Sequence, residues 1–248
     1  MGMATITSIR IAMRTPMDEG AIFDVLSWMS PAWPVGAYTH SGGLEWAVEE
    51  GHVTDRTSCE RWLADLLRHG PLFNEAVLFV HAHRAAAAGD AARLGVVAEL
   101  ALAAQSGGER FLETTAQGNA FARIARSAST PSNFAALLAP LKGEDLAYPL
   151  VAATLFACHG VAEQAGLTAF LHGTVSNYVS AAQRLVPLGQ TDGQRAILAL
   201  RPCVLELAAQ VVAGCRADDP FDDLAGCSLL AEIGCMAHET QYTRLFRT

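Results

Sequence analysis

The chain has 248 residues, 51% of them hydrophobic and 17% charged, with a formal net charge of −8 and a mean hydropathy of +0.24. That length supports one sizeable core or two small domains, and the apolar surplus has to enter a large core, a partner, or both. Sixteen basic residues are arginine and Lys142 is the one lysine, so an acidic chain without a basic cluster is a poor nucleic-acid binder, and with Gly143 after Lys142 the Gly-Lys-Ser/Thr ending of a P-loop is missing. No run of about 18 uninterrupted apolar residues occurs, so no membrane span is expected. Met1–Met17 lacks the apolar stretch of a signal peptide. None of the six cysteines falls in a CxxC pair, which fits free thiols in a reducing cytoplasm.

Residues 1–18 show no clear periodicity and read as a flexible N-terminal arm. Gly20–Ser30 has helical spacing through Ile22, Phe23, Leu26 and Met29. The stretch Trp28–Glu49 (WMSPAWPVGAYTHSGGLEWAVE) then crowds four aromatics around two helix-breaking prolines and three glycines. Such a segment either builds a rigid contact surface or plugs the core between two helices. Thr57 and Glu60 have capping-box spacing, and Cys59, Trp62, Leu63, Leu66 and Leu67 give one helical face stopped at Gly70-Pro71. Further helices are expected over 72–88, 91–105 and 109–126, the last burying Phe111, Leu112, Thr115, Phe121 and Ile124. Thr130-Pro131 reads as an N-cap with proline at the first helical position, and the helix it opens ends at Pro140. Two apolar helices, 149–165 and 167–185, hinge at Gly166, and the second is expected at the centre. Pro187–Gly193 is a turn, 195–212 is helical with a kink at Pro202, and 224–237 is the last helix. About ten helices and no strand alternation predict an all-α, single-domain bundle, with the helical domain over 19–237.

Catalytic patterns are weak. His81 and His83, at i and i+2, point to different helix faces and are poorly placed to chelate one ion. Cys235 and His238 share a face at i and i+3, but no second pair completes a coordination set. There is no G-x-S-x-G elbow, and the paired carboxylates read as solvated turns or helix ends. No metal, cofactor or catalytic residue is assigned. Arg184 is a guanidinium in an apolar helix and needs several acceptors. The closing segment His238–Thr248 (HETQYTRLFRT) carries Tyr242, Leu245 and Phe246 at i, i+3 and i+4 between arginines, as a docking tail or a plain last helix would.

Three segments carry a family resemblance. SPAWPVGAYTHSGGLEWAVE resembles the signature of the UreF urease accessory proteins, roughly S-P-A-F-P-V-G-A-F-S-Y-S-x-G-L-E. NYVSAAQRLVPLGQTDGQ (Asn177–Gln194) and HETQYTRLFRT match further on, in the same order. The resemblance implies an all-helical, dimerising, non-enzymatic protein. It implies action with UreD (also called UreH) and the GTPase UreG to deliver nickel to apo-urease. It places the tail residues His238, Glu239, Arg244, Leu245 and Phe246 against UreD. Pro34, Gly36, Tyr38, His40 and Glu45, with Arg184, Gln190, Asp192 and Gln194, would lie near the dimer and UreG-facing surface. Three departures stand out: Thr39-His40-Ser41 for Ser-Tyr-Ser, Asn74 for an aspartate, and Thr248 for a serine. The alternative class is a stand-alone helical metal-binding protein or enzyme with His and Cys ligands.

Overall fold

The chain runs through α1 (Glu19–Trp28), a 3₁₀ turn (Ala37–Thr39), α2 (Leu44–Glu49), α3 (Arg56–His69), α4 (Pro71–Ala87), α5 (Ala91–Ala103) and α6 (Gly108–Ala128). It continues through α7 (Ser132–Leu138), a 3₁₀ turn (Ala139–Leu141), α8 (Tyr148–Cys158), α9 (Glu163–Leu185), α10 (Gln190–Gly214), a 3₁₀ turn (Pro220–Asp223) and α11 (Leu229–His238). This computed structural model describes residues 19–128 and 132–248, and among them no strand occurs. The all-α, single-domain expectation is met. The arm expected over 1–18 and the cap expected at Thr130-Pro131 lie outside the described residues.

Local chemistry explains most helix ends. Asp55 caps α3 by accepting the Ser58 N–H at 2.8 Å, while Ser58 Oγ accepts the Asp55 N–H at 3.0 Å. The capping box therefore sits two residues before the expected Thr57–Glu60 pair. Gly70 closes α3 and Pro71 opens α4, because proline's missing N–H costs nothing in a first turn.

The centre of the bundle is the α4–α8 pair, not α9. Pro149 to Phe156 are buried without interruption along α8. Phe79 of α4 packs on Phe156 at 5.9 Å and on Phe170 of α9 at 5.3 Å. The break between α8 and α9 falls at His159-Gly160 rather than Gly166. Gly166 lies inside α9, where a Cβ would come within 2.9 Å of the Phe156 ring. Its smallness permits close helix packing and is not a hinge.

The buried face of α6 also differs from expectation. Phe111 is 38% exposed, whereas Glu109, Arg110, Glu113, Thr114 and Gln117 are buried beside Phe121. The helix turns its charged side inward because partners wait there. The 190–193 stretch read as a turn is the first turn of α10. By length and composition α10 alone among the described helices could cross a membrane. Here it packs on α9, α3 and α4 and buries Ala196, Leu200, Cys203, Val204, Leu207, Ala208 and Val211.

Candidate functional site

Three of the four signature aromatics serve the core. Trp28 stacks on Phe156 at 5.3 Å and meets His159 edge-on at 4.6 Å. Trp33 lies 5.8 Å from Phe121, and Trp46 leans on His52 at 5.5 Å. Tyr38 alone turns outward, 67% exposed. The chain then turns at Gly42 and Gly43, with φ of 56° and 82°. A side chain at Gly42 would overlap the Tyr178 hydroxyl, and one at Gly43 would lie 2.8 Å from Cys235 Sγ. Only glycine fits both the left-handed backbone and the space.

This turn delivers Glu45 to the first turn of α2, where a carboxylate complements the helix dipole. Glu45 is buried and meets the closing segment. Its Oε1 accepts the Leu245 N–H at 2.6 Å and its Oε2 accepts the Phe246 N–H at 2.9 Å. His238, fully buried at the end of α11, sits between two carboxylates: Nε2 is 2.9 Å from Glu45 Oε2 and Nδ1 2.8 Å from Glu109 Oε2. Each of the two contacts needs one proton between the ring nitrogen and the carboxyl oxygen it faces. Arg244 reaches Glu109 Oε1 at 3.3 Å and donates to the main-chain oxygens of Glu239 and Arg247. Burial raises the Glu109 carboxyl, against the pull of His238 and Arg244.

The segment ends against the signature. Thr248 O accepts from the Ser41 N–H at 2.6 Å and the Ser41 hydroxyl at 2.9 Å. Arg247 N–H donates to Thr39 O at 2.8 Å. His40 Nδ1 and Thr248 Oγ1 share a hydrogen bond at 2.8 Å, and burial holds the His40 imidazole below its ordinary value. Arg184 completes the contact. Its Nη1 donates to Tyr38 O at 2.7 Å, and its guanidinium lies 4.3 Å over the Phe246 ring.

The signature, the 177–194 segment and the closing segment thus converge on one surface. Phe246 is buried there, while Leu245 is 63% exposed and Tyr242 fully so. The i, i+3, i+4 stripe read across these three side chains does not form, because residues past His238 are not helical. Pro34 and Glu239 are exposed, and Gly36 caps the 3₁₀ turn in left-handed conformation. The start of α10 stands apart from the tail. Gln190 accepts from Gln183 at 3.4 Å, Asp192 faces Arg195 at 3.2 Å and Arg56 at 4.0 Å, and Gln194 is exposed.

Beneath this surface lies a buried polar cluster that sequence reasoning missed. Arg110 of α6 donates to Glu75 of α4, to Glu113 at 2.6 Å and to the Tyr178 hydroxyl at 3.0 Å. Burial pushes the Glu75 carboxyl up to about 7, outweighing Arg110. Burial also works against charge on Arg110, but Glu113, Tyr178 and Glu75 more than offset it and keep the guanidinium charged. The i, i+3 spacing of Arg110 and Glu113 was the one available signal.

Two of the other candidate ligands, His83 and Cys235, are taken up by the fold. His83 Nε2 pairs with Val161 O at 2.8 Å. Cys235 is buried and its thiol pushed up to about 12, while both nitrogens of its neighbour His238 are engaged. Asn74 accepts the Ala225 and Gly226 N–H groups and donates to Gly226 O at 2.8 Å, a donation no ionised aspartate could make.

A model of the UreF family matches residues 53–201. The chain belongs to the UreF family. A urease accessory protein UreF from Rhodopseudomonas palustris strain BisB18 is 45% identical over 247 residues, covering 99% of this chain and 100% of the relative. One from strain BisB5 is 48% identical over 232 residues, 93% of each chain. One from Bradyrhizobium diazoefficiens is 40% identical over 248 residues, all of both chains. The family match covers the polar cluster and α3 to mid-α10, and the full-length relatives extend it over the signature and the closing segment.

Proposed function

We propose that this chain is a non-enzymatic scaffold in urease maturation. It links the GTPase UreG to UreD and apo-urease for GTP-dependent nickel delivery, as a homodimer in the cytoplasm, without binding nucleic acid or membrane. The supporting observation is the convergence of three segments, distant in sequence, on one surface around Glu45, His238 and Arg184. That surface presents Tyr38, Tyr242 and Leu245 to solvent beside exposed Arg244 and Arg247. Exposed aromatic and arginine side chains on a braced base are what a protein partner recognises. The closing segment is the UreD-facing part, and the signature with the Arg184–Gln194 region faces the dimer and UreG.

The test is maturation of apo-urease with UreD, UreG, GTP and nickel, read as nickel content and urease activity. Truncation before His238 would also remove a buried hub, so the cleaner variant is Tyr242→Ala with Leu245→Ala. Activation by the parent chain and its loss in the variant support the reading. Equal activation by both removes the tail from it. Failure of the parent chain where another UreF succeeds refutes the scaffold role.

A further inference from the structure

A second set of ligand-type side chains lies away from this surface. His81 on α4 is 1% exposed, Cys215 caps the end of α10, and Asp223 ends the 3₁₀ turn after it. One imidazole nitrogen, the thiol sulfur and a carboxylate oxygen all lie within 4.8 Å of one another. His81 Nε2 is 2.8 Å from Asp223 Oδ2, which also accepts the Ala217 N–H at 3.3 Å. The second ring nitrogen, His81 Nδ1, is buried and has no hydrogen-bond partner. Nδ1 points away from Asp223, so Nε2 is the ring nitrogen that an ion shared with Asp223 would take.

We propose that His81, Cys215 and Asp223 bind one divalent cation of the zinc class. The donor set is one nitrogen, one sulfur and one oxygen, each a common zinc ligand. Donors around a tetrahedral zinc ion stand roughly 3.3–3.8 Å apart for bond lengths of about 2.0–2.3 Å, so the 2.8 Å His81–Asp223 contact has to open by about 0.5 Å, and a donor pair at the 4.8 Å limit has to close by about 1 Å. Zinc imposes no d-electron geometry, which suits ligands drawn from three separate elements. Three protein donors leave a fourth position for water, reached past Asp223, whose side chain is 15% exposed. On binding, the Cys215 thiol gives its proton to solvent as the sulfur–metal bond forms, and the proton shared by His81 Nε2 and Asp223 moves to His81 Nδ1, leaving the Nε2 lone pair and the carboxylate for the ion. Thiolate and carboxylate then balance the two charges of the ion.

The surroundings brace this arrangement. Arg84 donates to the main-chain oxygens of Cys215 and Val212, fixing the end of α10 against α4. Its own charge is matched by Glu163 at 2.6 Å. Arg93 donates to Ala217 O at 3.5 Å and holds the same loop from α5. The bound ion would clip residues 215–223 to α4. His83, two residues on, is excluded by its bond to Val161 O. This site is independent of the urease-maturation reading.

The experiment uses the full chain, stripped with a chelator in reducing buffer and titrated with Co(II), then with Zn(II). One Co(II) per chain should bind with strong near-ultraviolet thiolate-to-metal absorption, and Zn(II) should remove that absorption by displacement. Cys215→Ser should abolish the band, and His81→Gln and Asp223→Asn should weaken binding by roughly 10- to 100-fold or more. Cys227→Ser, an exposed thiol outside the cluster, should change nothing. Absence of stoichiometric binding, a band that survives Cys215→Ser, or Co(II) that Zn(II) cannot displace overturns the proposal. Should Cys215→Ser fail to fold, X-ray absorption at the zinc edge of the parent chain decides. One sulfur with nitrogen or oxygen neighbours supports the site, and no sulfur overturns it.

Discussion

Replacing Glu45 by glutamine should loosen the closing segment without unfolding the bundle. The carboxylate accepts three hydrogen bonds, from the Leu245 and Phe246 N–H groups and from His238, at 2.6, 2.9 and 2.9 Å. A glutamine of the same shape keeps one oxygen. Its NH₂ must face at least one former donor, and the negative charge beside His238 is gone. A hydrogen bond to a charged group contributes about 1.5–3 kcal/mol. Losing one outright and weakening the others should therefore cost roughly 2–4 kcal/mol locally, or at least about 30-fold in the opening equilibrium of the segment. Amide hydrogen exchange resolves this directly. Protection at Leu245, Phe246 and Ser41 should fall by roughly that factor, while amides in the cores of α4 and α8 keep theirs. Unchanged protection at Leu245 and Phe246 would show that side-chain packing of Phe246, not the Glu45 hub, holds the segment.

Three other outcomes are expected. Because Glu75 is raised to about 7 from 4.5, the folded state holds a proton the unfolded chain releases between those values, so its contribution to stability is lost as pH rises through that window. At about 1.4 kcal/mol per unit the loss is at most roughly 3 kcal/mol; urea denaturation of the parent chain and Glu75→Gln from pH 4.5 to 8 should show their stability difference shifting towards the variant by up to that much, and a constant difference would refute the assignment. Gly42→Ala, which combines a φ of 56° with overlap of the Tyr178 hydroxyl, should destabilise by about 2 kcal/mol or more, read from the urea midpoint. Tyr242→Ala with Leu245→Ala removes only exposed side chains, so stability should stay within about 0.5 kcal/mol while urease maturation falls.

The helices were legible where local signals agree. The face of α3 and its stop at Gly70-Pro71 are both encoded within a few residues. Misreadings arose where a residue's role depends on a distant partner. Apolar periodicity chose Phe111 for the buried face of α6. The observed face buries Arg110 because Glu75 approaches from a helix 35 positions earlier. Gly166 looked like a hinge because glycine is flexible, but the rings of Phe156 and Phe79 need its missing side chain. The three matched segments were visible one by one, and Glu45 and His238 were singled out. Glu109, which joins His238 to Arg244, gave no sign, since a glutamate near a helix start usually faces solvent.

The way the closing segment is held bears on how a partner could use it. Leu245 and Phe246 are fixed through their main-chain N–H groups, and Thr248 through its main-chain oxygen. Such bonds specify a path for the chain and leave outward side chains such as Tyr242 and Leu245 free to specify a partner. Phe246 differs, because it is buried under the Arg184 guanidinium. A partner that engages Tyr242 and Leu245 can add its surface to a segment already ordered, without the entropy of ordering it. A partner that needs Phe246 must first break the cation–π contact and re-expose the ring, so its affinity falls by the fraction of chains in which the segment is open. Loosening the segment through Glu45→Gln should weaken binding in the first case and strengthen it in the second. The sign of that change distinguishes docking onto the closed surface from capture of the released segment.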